Sequence, residues 1–290
     1  MKEKQTETAQ RKNNNMNKFH FSIVIAFVSI LFSGCQQNES PNLKILNPSI
    51  QTETAAEWKE VKPGLFYTDL HIKNEDESFK DLLLVRIDPK KYSFSIYQNE
   101  PGEESKTIDE IYEETGALLA FNGQFFTEEF NPTGLLISQT QILNEKSNAD
   151  LVNGIIVIDN RREARLLHNE EGFPIGTIDF AIQNGPILLD ENGNPSIIED
   201  SGKTASRTAL GIDQEGNLVV IVLKQSILNF ENSITLYQFA QLLASHPEIQ
   251  KLGLHSVLNL DGGTSSGIAI DHKYYPEMEK VQSVVLVKAR

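Results

Sequence analysis

The chain has 290 residues, with 40 acidic side chains against 26 basic ones, a net charge of −14 and a single cysteine. A surface this acidic argues against nucleic acid as a partner, because it cannot neutralise a phosphate backbone. One cysteine excludes an intrachain disulfide, a thiolate metal cluster and a two-cysteine redox site, so stability has to come from a buried core.

At the N-terminus, the polar stretch before Met16 is followed by Met16-Asn17-Lys18, which makes Met16 an alternative start. Phe21 to Phe32 is uncharged and largely apolar, then Ser33-Gly34-Cys35 follows. That run is too short to span a bilayer. With a lysine before it and small residues after it, residues 1–34 read as a lipoprotein signal peptide and Cys35 as the acylated mature N-terminus. Each buried methylene contributes about 0.8 kcal/mol, so more than one chain is needed for a stable anchor. A buried core helix is the alternative, but the segment lacks a polar face. The expectation is a protein of the cell envelope, held to the outer membrane or cell surface by lipid on Cys35, without spanning. Losing residues 1–34 removes five basic and two acidic residues and takes the net charge from −14 to −17.

Residues 35–60 are polar and without periodicity, as in a tether. Residues 61–290 suffice for a single domain with a sizeable core. Its strand candidates are Leu82 to Ile87, Tyr92 to Tyr97, Leu118 to Phe121, Gly154 to Ile158, Ile178 to Ile182, Thr208 to Ile212, Leu218 to Leu223, Val257 to Leu260 and Val284 to Val287. Asp190-Glu191-Asn192-Gly193 and Asp213-Gln214-Glu215-Gly216-Asn217 carry turn chemistry between apolar runs and predict antiparallel hairpins. Thr107-Ile108-Asp109-Glu110 and Thr235-Leu236-Tyr237-Gln238 are capping boxes, the first opening a helix that ends near Gly116. Each helix feeds an apolar strand, which predicts an α+β domain with helices packed on a mixed, largely antiparallel sheet.

Both helix-strand units run into polar, glycine-bearing segments, Asn122-Gly123-Gln124 and Asn259-Leu260-Asp261-Gly262-Gly263-Thr264-Ser265-Ser266-Gly267. Glycines there let backbone amides approach an anion, while Thr264, Ser265 and Ser266 add hydroxyls and Asp261 a carboxylate. A plain Asp-Gly hairpin turn is the competing interpretation. Gly263-Thr264-Ser265-Ser266-Gly267 also spells a nucleophile elbow. The acid and histidine of an α/β-hydrolase must follow the serine, however, and only 25 residues remain after Ser265. His71, His168, His246, His255 and His272 have no metal-pair spacing. No cofactor is required by the sequence, although Asp and Asn side chains around such a loop can hold a divalent cation such as calcium.

Four segments together resemble the phosphodiester glycosidase domain family, the group that includes the lysosomal enzyme uncovering mannose 6-phosphate. Phe121-Asn122-Gly123-Gln124-Phe125-Phe126 is similar to its Asn-Gly-Gly-Phe-Phe, and Gln183-Asn184-Gly185-Pro186-Ile187-Leu188 to its Gly-Pro-hydrophobic segment. Ser206-Arg207-Thr208-Ala209-Leu210-Gly211 looks like its Arg-Thr-Ala-hydrophobic-Gly, and Asn259 to Ser266 like its Asn-Leu-Asp-Gly-Gly-Gly-Ser-Ser loop. Gln124 and Thr264 each stand where the family has glycine, and Leu223-Lys224-Gln225-Ser226 replaces its Asp-Gly-Arg. The resemblance implies hydrolysis of the bond between a sugar's anomeric carbon and a phosphodiester. It implies Asp261 as base or cation-stabilising carboxylate, Arg207 on the phosphate, and Asn122 orienting sugar or water. Asn184, Gly185, Lys224, Gly262, Gly263, Thr264, Ser265 and Ser266 would line the substrate. A second carboxylate is expected but not identifiable. The alternatives are a non-catalytic surface lipoprotein that binds glycans and a purely structural envelope protein.

Overall fold

The computed structural model describes residues 56–290 except 75, 76, 101, 103, 173, 174 and 224–232, all within one unit, Ile50–Arg290. Cys35, the signal-peptide and most of the tether assignment, and Lys224 lie outside the described residues.

Three sheets make the domain. The first has seven strands in the order β1 (Lys59–Lys62), β2 (Leu65–Lys73), β3 (Phe79–Ile87), β13 (Leu218–Leu223), β12 (Thr208–Asp213), β14 (Leu254–Asn259) and β11 (Ile187–Leu189). The second runs β7 (Gln141–Asn144), β6 (Leu136–Ser138), β10 (Ile178–Asn184), β8 (Gly154–Asp159), β9 (Ala164–His168). The third runs β16 (Lys273–Tyr275), β15 (Ile268–Ile270), β5 (Leu119–Asn122), β17 (Ser283–Ala289), β4 (Tyr92–Gln98). Among the described residues every strand pairing is antiparallel.

Alternation along the strands sorts the apolar side chains between layers. Leu83, Val85 and Ile87 of β3, Leu119 and Phe121 of β5, and Ile156 and Ile158 of β8 meet in one central core fed by all three sheets. On the other face of β3, Leu82 and Leu84 join Phe239, Ala240 and Leu243 of α2 (Leu236–Ser245) and Ile249 of α3 (Pro247–Gln250). Ala120 on the outer face of β5 joins Ile108 and Ile111 of α1 (Ile108–Thr115). Phe239 is fully buried, and its truncation to alanine would cost about 3–5 kcal/mol.

Local signals act as expected. Thr107 and Glu110 close a reciprocal cap on α1, which ends at left-handed Gly116, and Thr235 and Gln238 do the same for α2. Asp213 Oδ1 accepts the N–H groups of Glu215 and Asn217, turning β12 into β13, and Asp190 Oδ1 accepts those of Asn192 and Asn194 in an identical arrangement.

The expected α+β class with packed helices and a mixed sheet is not what forms. The three described α-helices are short, no parallel pairing occurs among the described residues, and the domain is a sheet-rich, antiparallel assembly. The reason is physical. β8 and β13 are buried at every position, and such a run reveals that both faces are covered without revealing by what. Here the cover over the central core is mostly another sheet.

Candidate active site

Asn122, the last residue of β5, is fully buried, and its amide joins three other chain segments. Its Nδ2 donates to the Asp261 carbonyl at 2.7 Å, and its Oδ1 accepts from Thr208 Oγ1 at 2.8 Å and from Gly267 N at 3.2 Å. Thr208 opens β12, Asp261 follows β14 and Gly267 precedes β15. Asp261 N in turn donates to the Gly123 carbonyl at 3.2 Å. The side chain expected to orient sugar or water is therefore a brace that sets where Asp261 stands. Each bond contributes about 0.5–1.5 kcal/mol net, but leaving a buried partner unsatisfied costs about 1–3 kcal/mol.

The loop after β14 is held from the other side as well. Asn259 Nδ2 donates to the carbonyls of Gly185 at 2.9 Å and Leu260 at 2.7 Å, and Asn259 N donates to the Pro186 carbonyl at 3.1 Å. Asn184 Oδ1 accepts from Phe125 N at 3.4 Å. Gly263 N donates to the Ser206 carbonyl at 2.8 Å. A Cβ on Gly262 would stand 2.9 Å from that carbonyl, and Gly263 has φ +65°, so the spacing between this loop and the 206–207 segment requires both glycines. All four segments singled out in the sequence converge here.

Asp261 is half-buried, and its carboxylate accepts Gly262 N at 2.9 Å and the Ser265 hydroxyl. Burial pushes its pKa up from 3.8 to about 6. The bonds from Ser265 and Gly262 pull the other way, and the negative charge of Glu279 adds to the rise. A carboxyl titrating near neutrality can both hold and release a proton in use, as catalytic carboxyls do.

Arg207 lies alongside. Its Cδ is 3.9 Å from where a Cβ on Gly262 would be, so its stem runs against the loop one residue from Asp261. Nε donates to the Ile234 carbonyl at 3.1 Å and Nη2 to the Lys203 carbonyl at 3.0 Å. Among the described residues no carboxylate pairs with this half-buried guanidinium, whose charged form burial disfavours. Among the described residues two of its five N–H groups are engaged, and the rest form a donor set suited to an anion.

The other donors expected around a phosphate are placed differently. Gly262 N and Gly263 N are engaged by Asp261 and Ser206, and the Ser265 hydroxyl by Asp261. The Thr264 hydroxyl donates to Glu279 Oε2 at 2.8 Å. Gly185 presents its carbonyl to Asn259 rather than an open surface. Asn184 Nδ2 and Ser266 Oγ are buried without a hydrogen-bond partner among the described residues. Of the charged groups expected at the site, Arg207 is the one described with N–H groups not engaged by the described residues. Among the described residues no group of three or more His, Cys, Asp or Glu side chains is placed to hold a metal ion.

Glu279 is the addition that sequence reading did not supply. Met278 N and Glu279 N donate to the Thr264 carbonyl at 2.6 and 3.1 Å, and this fastens the 278–279 segment over the Asp261 loop. Nothing local distinguishes it among 40 acidic residues.

The same architecture occurs in solved structures. A hypothetical protein from Synechocystis superposes with a TM-score of 0.60 at 16% identity over 82% of this chain, covering 64% of that protein, so under two thirds of its length. The zebrafish N-acetylglucosamine-1-phosphodiester α-N-acetylglucosaminidase catalytic domain, auto-inhibited by its pro-peptide, superposes with a TM-score of 0.61 at 16% identity over 82% of this chain and 88% of that one. At such identities the likeness is one of fold. No curated protein sequence matches significantly. The fold and the braced strand-end loops thus define a class of antiparallel, multi-sheet domains with a polar site at the strand ends. The profile of the phosphodiester glycosidase family matches residues 115–288, more than half of the chain, and the chain belongs to that family.

Proposed function

We propose that this protein hydrolyses the anomeric C–O bond of a glycosyl phosphodiester in an envelope or extracellular glycoconjugate, releasing the sugar and leaving a phosphate monoester on the other partner. The observation that carries this is Arg207, a half-buried guanidinium with no carboxylate partner among the described residues, with its stem against the Asp261 loop. Its remaining N–H fork matches two phosphodiester oxygens. In this reading the phosphate sits on Arg207 and the sugar extends toward the Asp261 loop, against which the Arg207 stem runs.

The departing group is already an anion, so the site has to hold the phosphate, stabilise an oxocarbenium-like sugar and activate water. Asp261 is suited to the second task when ionised and to proton transfer when not, because its pKa of about 6 keeps both forms accessible. Asn122 acts by holding the Asp261 backbone. The name of the zebrafish relative specifies an N-acetylglucosamine 1-phosphodiester, which makes that sugar the first to try. We place the protein outside the cytoplasm on lipid at Cys35. Incorporation of an alkyne fatty acid, abolished in Cys35→Ser, is the expected result, and incorporation that survives the substitution would refute the anchor.

The test of the activity is a set of p-nitrophenyl phosphodiesters of glucose 1-phosphate and N-acetylglucosamine 1-phosphate, read with a coupled phosphatase. Wild type should turn over at least one, Asp261→Asn should lose about 10²-fold or more in kcat, and Arg207→Ala should mainly raise KM. Binding without turnover by wild type would leave a glycan-binding surface protein instead.

A further inference from the structure

We propose that Glu279 is the second carboxylate of this site, the base that takes a proton from the attacking water while Asp261 protonates the departing phosphate oxygen. This rests on the hydrolase reading above and adds the partner that reading lacks.

The geometry is a shared mount. Gly263–Ser265 form one 3-10 turn, and its two hydroxyl residues hold one carboxylate each. Ser265 donates to Asp261, and Thr264 donates to Glu279 Oε2 at 2.8 Å. The backbone of Thr264 fixes the same partner, accepting from Met278 N and Glu279 N. Thr264 stands where the related motif has glycine, and a glycine could not make the side-chain bond. The departure at this position is therefore what seats Glu279.

Its surroundings suit a base. Glu279 is exposed, so water reaches it, and among the described residues no cation pairs with it. The Thr264 hydroxyl occupies Oε2, which leaves Oε1 to face an attacking water. Glu277, two residues earlier, is no rival, since Oε1 accepts Ile108 N and Oε2 accepts the Tyr274 hydroxyl. Asp261 is half-buried and retains its proton to higher pH, partly because Glu279 is near. A buried carboxyl that keeps its proton beside a solvated one divides acid from base.

Atoms and electrons balance in this step. The water oxygen bonds to the anomeric carbon as the C–O bond to phosphate breaks, with its electron pair going to the phosphate oxygen. Glu279 takes one proton from water and Asp261 gives one to that oxygen. Products are the free sugar and the phosphate monoester, and exchange with solvent returns both carboxyls to their starting forms.

Among the described residues Glu279 is the charged group that acts on Asp261, while the Arg207 stem lies against the neighbouring Gly262, so the pH profile reads the carboxyl pair. Glu279→Gln should lower kcat by about 10²- to 10⁴-fold, remove one limb of the kcat profile and move the limb of Asp261 to lower pH. Glu279→Asp should recover part of the loss. Glu279→Ala with azide should regain rate and yield glycosyl azide. Thr264→Val should fall about tenfold, and Thr264→Ser, which restores the hydroxyl, should recover most of that loss. Glu279→Gln within threefold of wild type, with an unchanged pH profile, would overturn this assignment while leaving the hydrolase reading standing on Asp261→Asn. Loss without azide rescue would overturn the base role, and a wild type without turnover would remove both.

Discussion

Replacing Asp261 by asparagine should stabilise the protein at neutral pH, although it removes the residue most needed for chemistry. The carboxyl titrates at about 6 in the fold against 3.8 ordinarily, and each pH unit of that gap corresponds to about 1.36 kcal/mol. Ionising it therefore costs the folded state up to about 3 kcal/mol, and about 2 kcal/mol once its partial exposure is allowed for. Below about pH 4 both folded and unfolded chains hold the proton and there is no penalty. From about pH 4 to 6 the unfolded chain releases it first, so wild-type stability falls as pH rises, and above about 6 the loss is constant. The amide of the substituted side chain can still accept Gly262 N and the Ser265 hydroxyl, and it has no charge to desolvate. The variant's advantage should grow from near zero at about pH 4 to about 2 kcal/mol at about pH 8, a rise in Tm of about 4–8 °C for a domain of this size. Urea unfolding followed by circular dichroism at several pH values measures it. An advantage of equal size at about pH 4 and pH 8, or a less stable variant at pH 8, would refute the assignment of a proton-retaining Asp261.

Arg207→Lys keeps the charge but not the fork, so KM for a phosphodiester should rise about tenfold or more with little change in Tm. Gly262→Ala would press a methyl to 2.9 Å from the Ser206 carbonyl, and kcat should fall more steeply than stability as the Asp261 loop moves. Thr208→Val removes one donor to Asn122 Oδ1 at nearly constant volume while Gly267 N still donates to it, which should cost about 0.5–1.5 kcal/mol in urea unfolding.

What could be read from the sequence was local. The reciprocal caps at Thr107 and Thr235 involve residues three apart, and the Asp213 turn is closed by its own side chain. The apolar runs of β8 and β13 identified strands, but being apolar on both faces they could not say that sheets rather than helices cover them. β2 carries its signal as alternation, with Leu70 and Ile72 inward and Asp69, His71 and Lys73 outward, so a search for continuous apolar runs passes over it. The site shows the same division. Asp261 and Arg207 stood out through the segments around them, whereas the bracing role of Asn122 depends on Thr208, 86 positions away. Glu279 lies 15 positions from the hydroxyl that holds it, across β15 and β16, a separation without any sequence period.

The third sheet constrains the order of events in folding. β17 enters between β5 and β4, pairing with both, although it is the last of the described strands in chain order. Until residues 283–289 are available, β4 and β5 have no neighbour in common, and the end of β5 that carries Asn122 lacks its partner at Val284. Closure therefore waits on a contact of very long sequence separation, which slows folding. A nascent chain cannot complete this sheet, or the β5 end that carries Asn122, before residues 283–289 have emerged.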